Sequence, residues 1–124
     1  MKLFTVDEAN EALPVIIPKL VKIREIYAKL GVMRDGARAA AAASQFGGGM
    51  EGGTSYVNML YLADKLTAEI REIGAEIKDQ EAGLIDFPSI RHDRVVLLCW
   101  KLDELPEIQW WHEADAGFAG RQRI

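Results

Sequence analysis

Six side chains in this sequence stand out as candidates for chemistry: Asp86, Cys99, His112, Glu113, Asp115 and Arg121. Four of them fall in the last stretch, Trp110-Trp111-His112-Glu113-Ala114-Asp115-Ala116-Gly117-Phe118-Ala119-Gly120-Arg121. Imidazole with carboxylate is a common metal-binding combination, so His112 and Asp115 are candidate metal ligands. His112 is also the best candidate for acid–base work, followed by Asp115 or Asp86. Gly117 to Arg121 can form an anion-binding turn, with backbone N–H groups and the guanidinium converging on a phosphate or carboxylate. Together Asp86, His112, Asp115 and Arg121 make the candidate ligand site.

Each candidate has a plainer reading. His112 and Glu113 are adjacent in an extended segment and point to opposite faces, so both cannot hold one ion while the strand stays regular. A hydrogen-bonded structural histidine beneath the helices is the alternative for His112. The glycine-bent tail can instead tuck Phe118 into the core and pair Arg121 with Asp115 or Asp86. Cys99 sits in an apolar run, where a thiol is usually inert packing. No HExxH or CxxC spacing occurs, and the residues name no cofactor.

The elements that must position these groups follow from periodicity. Thr5-Val6-Asp7-Glu8 is a capping box that opens a helix. Leu13, Ile16, Leu20, Ile23, Tyr27 and Leu30 repeat at heptad spacing, which predicts a helix over 5–44, with Pro14 and Pro18 kinking it or ending a short first segment. Five glycines between Gly47 and Gly53 predict a linker over 45–53. The seam Tyr56, Met59, Ala63, Leu66, Ile70, Ile73 and Ile77 predicts a second helix over 54–82, capped by Thr54 or Ser55 and stopped at Gly83. The two helices read as an antiparallel hairpin.

Beyond Gly83 the period changes to that of strands. A three-stranded antiparallel meander is predicted over 84–113: 84–87 ended by Pro88, a central strand over 94–101 that is apolar on both faces, and 107–113. Ile108, Trp110 and His112 share one face of the last strand, and the tail 114–124 folds against the sheet. The fold class is α+β, in a single domain.

With 15 basic and 19 acidic residues the net charge is −4, which disfavours non-specific nucleic-acid binding. One cysteine excludes an internal disulfide and fits a reducing compartment. No signal-peptide pattern and no run of ~18 apolar residues occurs, so a soluble cytoplasmic protein without a membrane partner is expected.

Gly83-Leu84-Ile85-Asp86-Phe87-Pro88, Leu98-Cys99-Trp100-Lys101 and Trp111-His112-Glu113-Xaa-Asp115-Xaa-Gly117-Phe118-Ala119-Gly120-Arg121 are distinctive. With the opening Phe4-Thr5, they resemble a small bacterial domain family of uncharacterised function along essentially the whole chain. The resemblance implies no activity, cofactor or residue role. The leading expectation is an interaction or assembly module that forms a homodimer through its hairpin. The runner-up is a small ligand- or metal-binding protein, or an enzyme, with its site at Asp86, His112, Asp115 and Arg121.

Overall fold

A computed structural model describes the backbone of residues 1–43 and 53–124 and the side chains of 1–36 and 55–124. The predicted linker over 45–53 lies outside the described residues apart from Gly53. Helix α1 (Val6–Ala43) opens on the capping box: the Glu8 N–H donates to the Thr5 hydroxyl at 3.1 Å, and the Thr5 N–H donates to the Glu8 carboxylate at 3.0 Å. Those bonds hold the Glu8 carboxyl below the usual carboxylate range. The helix runs unbroken through Pro14 and Pro18, with no separate short first segment. Both prolines sit on the exposed face, where the carbonyls they leave unpaired can meet water.

Helix α2 (Gly53–Ile73) returns antiparallel to α1, with Lys19 donating to Glu69 at 2.7 Å. The first seam packs as expected, Leu13, Ile16, Leu20, Ile23 and Leu30 being buried and Tyr27 half-buried. The second helix ends nine residues earlier than its predicted limit of 82. Gly74, at φ 116°, turns the chain out of the helix, and its N–H caps the Ile70 and Arg71 carbonyls. Ile73 and Ile77 satisfy helical spacing, but they lie on either side of this turn.

The sheet is antiparallel with five strands, not three, in the order β1 (Glu76–Asp79), β2 (Leu84–Arg91), β3 (Arg94–Lys101), β4 (Trp110–Glu113) and β5 (Gln122–Arg123). Strand β1 occupies what periodicity assigned to helix, and β5 comes from the tail. The β3 strand is central, as its two apolar faces predicted. Pro88 does not end β2. A strand residue's N and O point to the same side, and the Pro88 carbonyl accepts from the Phe4 N–H at 2.7 Å, so its missing donor faces away from β3. The β4 strand is shorter than predicted, and Ile108 precedes it, buried in the core.

Alternation sorts the sheet into two faces. Ile85, Phe87, Val96, Leu98, Trp100 and Trp111 join the α1 seam in one core. Asp86, Cys99 and His112 occupy the opposite, outer face. Among the described residues no helix is long and apolar enough to cross a membrane.

Glycine matters most at Gly83, which links β1 to β2 at φ 67° where an added Cβ would collide with the Leu102 side chain. Gly31, in the interior of α1, has open space around it. Urea unfolding should therefore show Gly83→Ala losing roughly 1–3 kcal/mol through overpacking and left-handed strain. Gly31→Ala should gain roughly 0.5–1 kcal/mol from helix propensity. Equal responses would contradict this placement of the two glycines.

Candidate functional site

The outer-face site is assembled by register. In the β2–β3 ladder Asp86 stands directly opposite Cys99, and in the β3–β4 ladder His112 stands opposite Leu97, one step from Cys99 on the same face. The register is set by a two-residue turn, His92-Asp93, with φ values of 54° and 60°. That is the type I′ hairpin geometry, whose twist matches the flanking strands.

His112 Nε2 lies 3.2 Å from both Asp86 carboxylate oxygens, and each side chain is only 3% exposed. His112 Nδ1–H donates to the Glu113 carbonyl oxygen at 2.7 Å. A carbonyl can only accept, so this bond fixes which ring nitrogen carries a proton in the neutral imidazole and leaves Nε2 turned toward Asp86. Cys99 Sγ, one His112 ring nitrogen and one Asp86 oxygen all lie within 4.8 Å of one another. Burial, with the Asp86 carboxylate beside it, pushes the Cys99 thiol up to about 12.

A pocket of about 320 Å³ opens over this cluster, with Asp86 and His112 contributing to its lining. Leu84, Leu97 and Phe118 give it apolar walls, and Lys78, Ala114, Asp115 and Gly117 complete it. Lys78 donates to Glu76 at 2.7 Å, a bond that raises the Lys78 ammonium and lowers the Glu76 carboxyl. Phe118 stands 46% exposed in a single 3-10 turn (Phe118–Gly120), so it forms a wall and does not enter the core.

The predicted site residues are thus distributed unevenly. Asp86 and His112 meet; Asp115 lines the same pocket but is exposed and lies outside the close cluster. Arg121 bonds Glu104 and neither Asp86 nor Asp115. Its guanidinium donates to Glu104 at 2.8 Å and lies over the Trp110 and Phe118 rings, which anchors the tail. His112 is hydrogen-bonded and buried, as its plainer reading held, but on the sheet face away from the helices. Glu113 points to the other face and pairs with Arg94, which lowers its carboxyl. Sequence reasoning missed Cys99 as a member of the cluster. Its apolar neighbours in the chain signalled packing, and only the strand register brings it opposite Asp86.

Fold and site together define an α+β protein in which a helical hairpin covers one face of an antiparallel meander, and the other face carries a buried Asp–Cys–His cluster whose Asp86 and His112 line a pocket. The family model described as an uncharacterized conserved protein (DUF2203) matches residues 2–124, and the chain belongs to that family. No curated protein and no solved structure gives a significant match.

Near-total burial and the raised thiol make a direct expectation for Cys99. Folded, metal-free protein should react with a thiol-specific disulfide reagent at pH 8 at least about 100-fold more slowly than the urea-unfolded chain. Rapid labelling of the folded chain would place the thiol at the surface and break the cluster.

Proposed function

We propose that this protein binds a small ligand on the outer face of its sheet, in the pocket floored by His112 and Asp86. The observation that carries the reading is the coincidence of a buried, hydrogen-bonded imidazole–carboxylate pair with an apolar-walled pocket of about 320 Å³. A few convergent polar groups at the base of an apolar pocket are the usual anatomy of a small-molecule site. Replacing a buried polar pair by apolar side chains of similar volume is often neutral or stabilising, so fold stability alone gives little reason for it. The ligand is compact, with a polar head for His112 and Asp86 and an apolar body for Leu84, Leu97 and Phe118. Asp115 and Lys78 offer charges of both signs to its polar substituents. A reducing, cytoplasmic setting in a bacterial cell suits the single free thiol.

The test is a small-fragment screen by NMR on isotopically labelled, chelator-treated protein, using imidazoles, short carboxylates and amines. Hits should move the backbone signals of His112, Gly117 and Phe118, and Phe118→Ala should weaken them by about tenfold, equivalent to roughly 1.4 kcal/mol. A screen that leaves these signals unmoved defeats the reading.

Self-association through the hairpin is the second reading. It draws support from an apolar groove of about 390 Å³ formed by Ala28, Lys29, Val32, Met33 and Met59, with Val32, Val57 and Tyr61 exposed on the same two helices. This groove offers no polar group except Lys29, which fits packing better than chemistry. Sedimentation should then show a homodimer that survives His112→Ala and dissociates with Val32→Asp. A monomer mass independent of concentration removes it.

A further inference from the structure

Asp86, Cys99 and His112, the first and last of which line the pocket, offer one oxygen, one sulfur and one nitrogen donor within 4.8 Å of one another. We propose that Asp86, Cys99 and His112 bind a single Zn(II) ion, whose fourth coordination position opens into the outer-face pocket. This inference rests on the reading of that pocket as a ligand site and gives it a chemistry.

Geometry is the first support. Tetrahedral zinc with bonds of about 2.0 Å to nitrogen and oxygen and about 2.3 Å to sulfur sets its ligand atoms roughly 3.3–3.6 Å apart. The Nε2–carboxylate separation is already 3.2 Å, and the third donor lies within 4.8 Å of both. Small side-chain rotations close the remaining distance without moving a strand, because all three residues already project from the same face of paired strands.

The second support is the orientation of the imidazole. Histidine ligands characteristically donate the far ring N–H to a carbonyl or carboxylate, which fixes the tautomer and aims the other nitrogen at the metal. His112 is held in this way by the Glu113 carbonyl oxygen at 2.7 Å, leaving Nε2 facing the carboxylate. In the neutral ring that nitrogen presents a lone pair to a carboxylate that also presents lone pairs. The gap therefore calls for a cation, either a proton or a metal ion. A proton satisfies imidazole and carboxylate alone, whereas a metal takes all three donors, the Cys99 sulfur exchanging its hydrogen bond to Asp86 for a metal bond.

Donor chemistry then selects the ion. Thiolate with imidazole favours zinc over magnesium or calcium, which prefer all-oxygen shells. Binding exchanges the Cys99 S–H bond for a Zn–S bond and releases one proton to solvent, while Asp86 enters as carboxylate and His112 as neutral imidazole. Three protein ligands leave one position for water or for the head group of a pocket ligand, the pattern of open zinc sites. Ligands with a carboxylate, hydroxamate or thiolate head therefore fit the metal-loaded pocket best.

Cobalt(II) is the probe, since its visible spectrum reports both coordination number and thiolate ligation. Chelator-stripped protein should take up one Co(II) per chain with intense tetrahedral bands and a sulfur-to-cobalt charge-transfer band, and Zn(II) should displace it. Cys99→Ser should abolish the charge-transfer band and weaken binding by at least about tenfold, and His112→Ala by about 100-fold. Zn(II) should raise the melting temperature of the wild type far more than that of Cys99→Ser, a conservative variant whose folding the same melts verify. Folded protein without tetrahedral bands, or metal uptake indifferent to both substitutions, overturns the zinc site. If fragments still move His112 and Phe118 in metal-free protein while cobalt fails to bind, the zinc site falls and the pocket reading stands. If neither binds, both fall.

Discussion

The pairing register of β2, β3 and β4 is the constraint on which both the core and the site depend. Side chains alternate along a strand, so a slip of one residue exchanges the two faces of the sheet. In the observed register Phe87, Leu98 and Trp111 face the helices, while Asp86, Cys99 and His112 face outward. A one-residue slip in β2 would press Asp86 into the apolar core and expose Phe87. The penalty for burying an unpaired carboxylate therefore guards the alignment of the outer cluster. The geometry of the site is enforced by the stability of the opposite face, with the His92-Asp93 turn as the local device that starts the ladder correctly.

The outer face is organised differently from the core. Among the described residues its cover comes from the tail, a single 3-10 turn and a two-residue strand. What holds the tail is largely Arg121, bonded to Glu104 and stacked on Trp110 and Phe118, with the β4–β5 pairing at Trp110 and Trp111. The Ile124 N–H donates to the Gln109 carbonyl at 3.0 Å and completes the edge. This cover encloses Asp86 and His112 without filling the space in front of them. Arg121 thus supports the pocket from outside it, a role that its place in the sequence beside two glycines did not reveal.

Much of the architecture was legible because it follows local rules. The capping box, the first heptad seam and the central strand each depend on residues close in the chain, and each forms where periodicity predicts. Failures came where local and tertiary preferences diverge. Ile70, Ile73 and Ile77 continue a helical spacing without a break, yet Gly74 stops the helix and Ile77, in β1, pairs with Ile85 of β2. The register of β1 on β2 and of β5 on β4 depends on long-range pairing, which carries almost no signal in segments of four and two residues. Of the candidate site, Asp86 and His112 were legible as chemical types, whereas Cys99 was hidden by its apolar neighbours. Its membership is a property of the ladder.

The three motifs that contain Asp86, Cys99 and His112 acquire a common physical meaning from this ladder. Each contains a polar residue beside a large apolar one: Asp86 beside Phe87, Cys99 beside Trp100, His112 beside Trp111. In each pair alternation sends the aromatic ring into the helix-facing core and its neighbour to the outer cluster. A structural role for the motifs would account for the aromatic members, which are among the larger buried side chains. It gives no reason for their neighbours to supply one carboxylate, one thiol and one imidazole that converge within 4.8 Å. Aliphatic side chains at those three positions would satisfy the same sheet with no desolvation cost. The combination is accounted for when each motif is a two-sided unit, with one side chain fixing the strand against the helices and the next turned into the outer-face cluster.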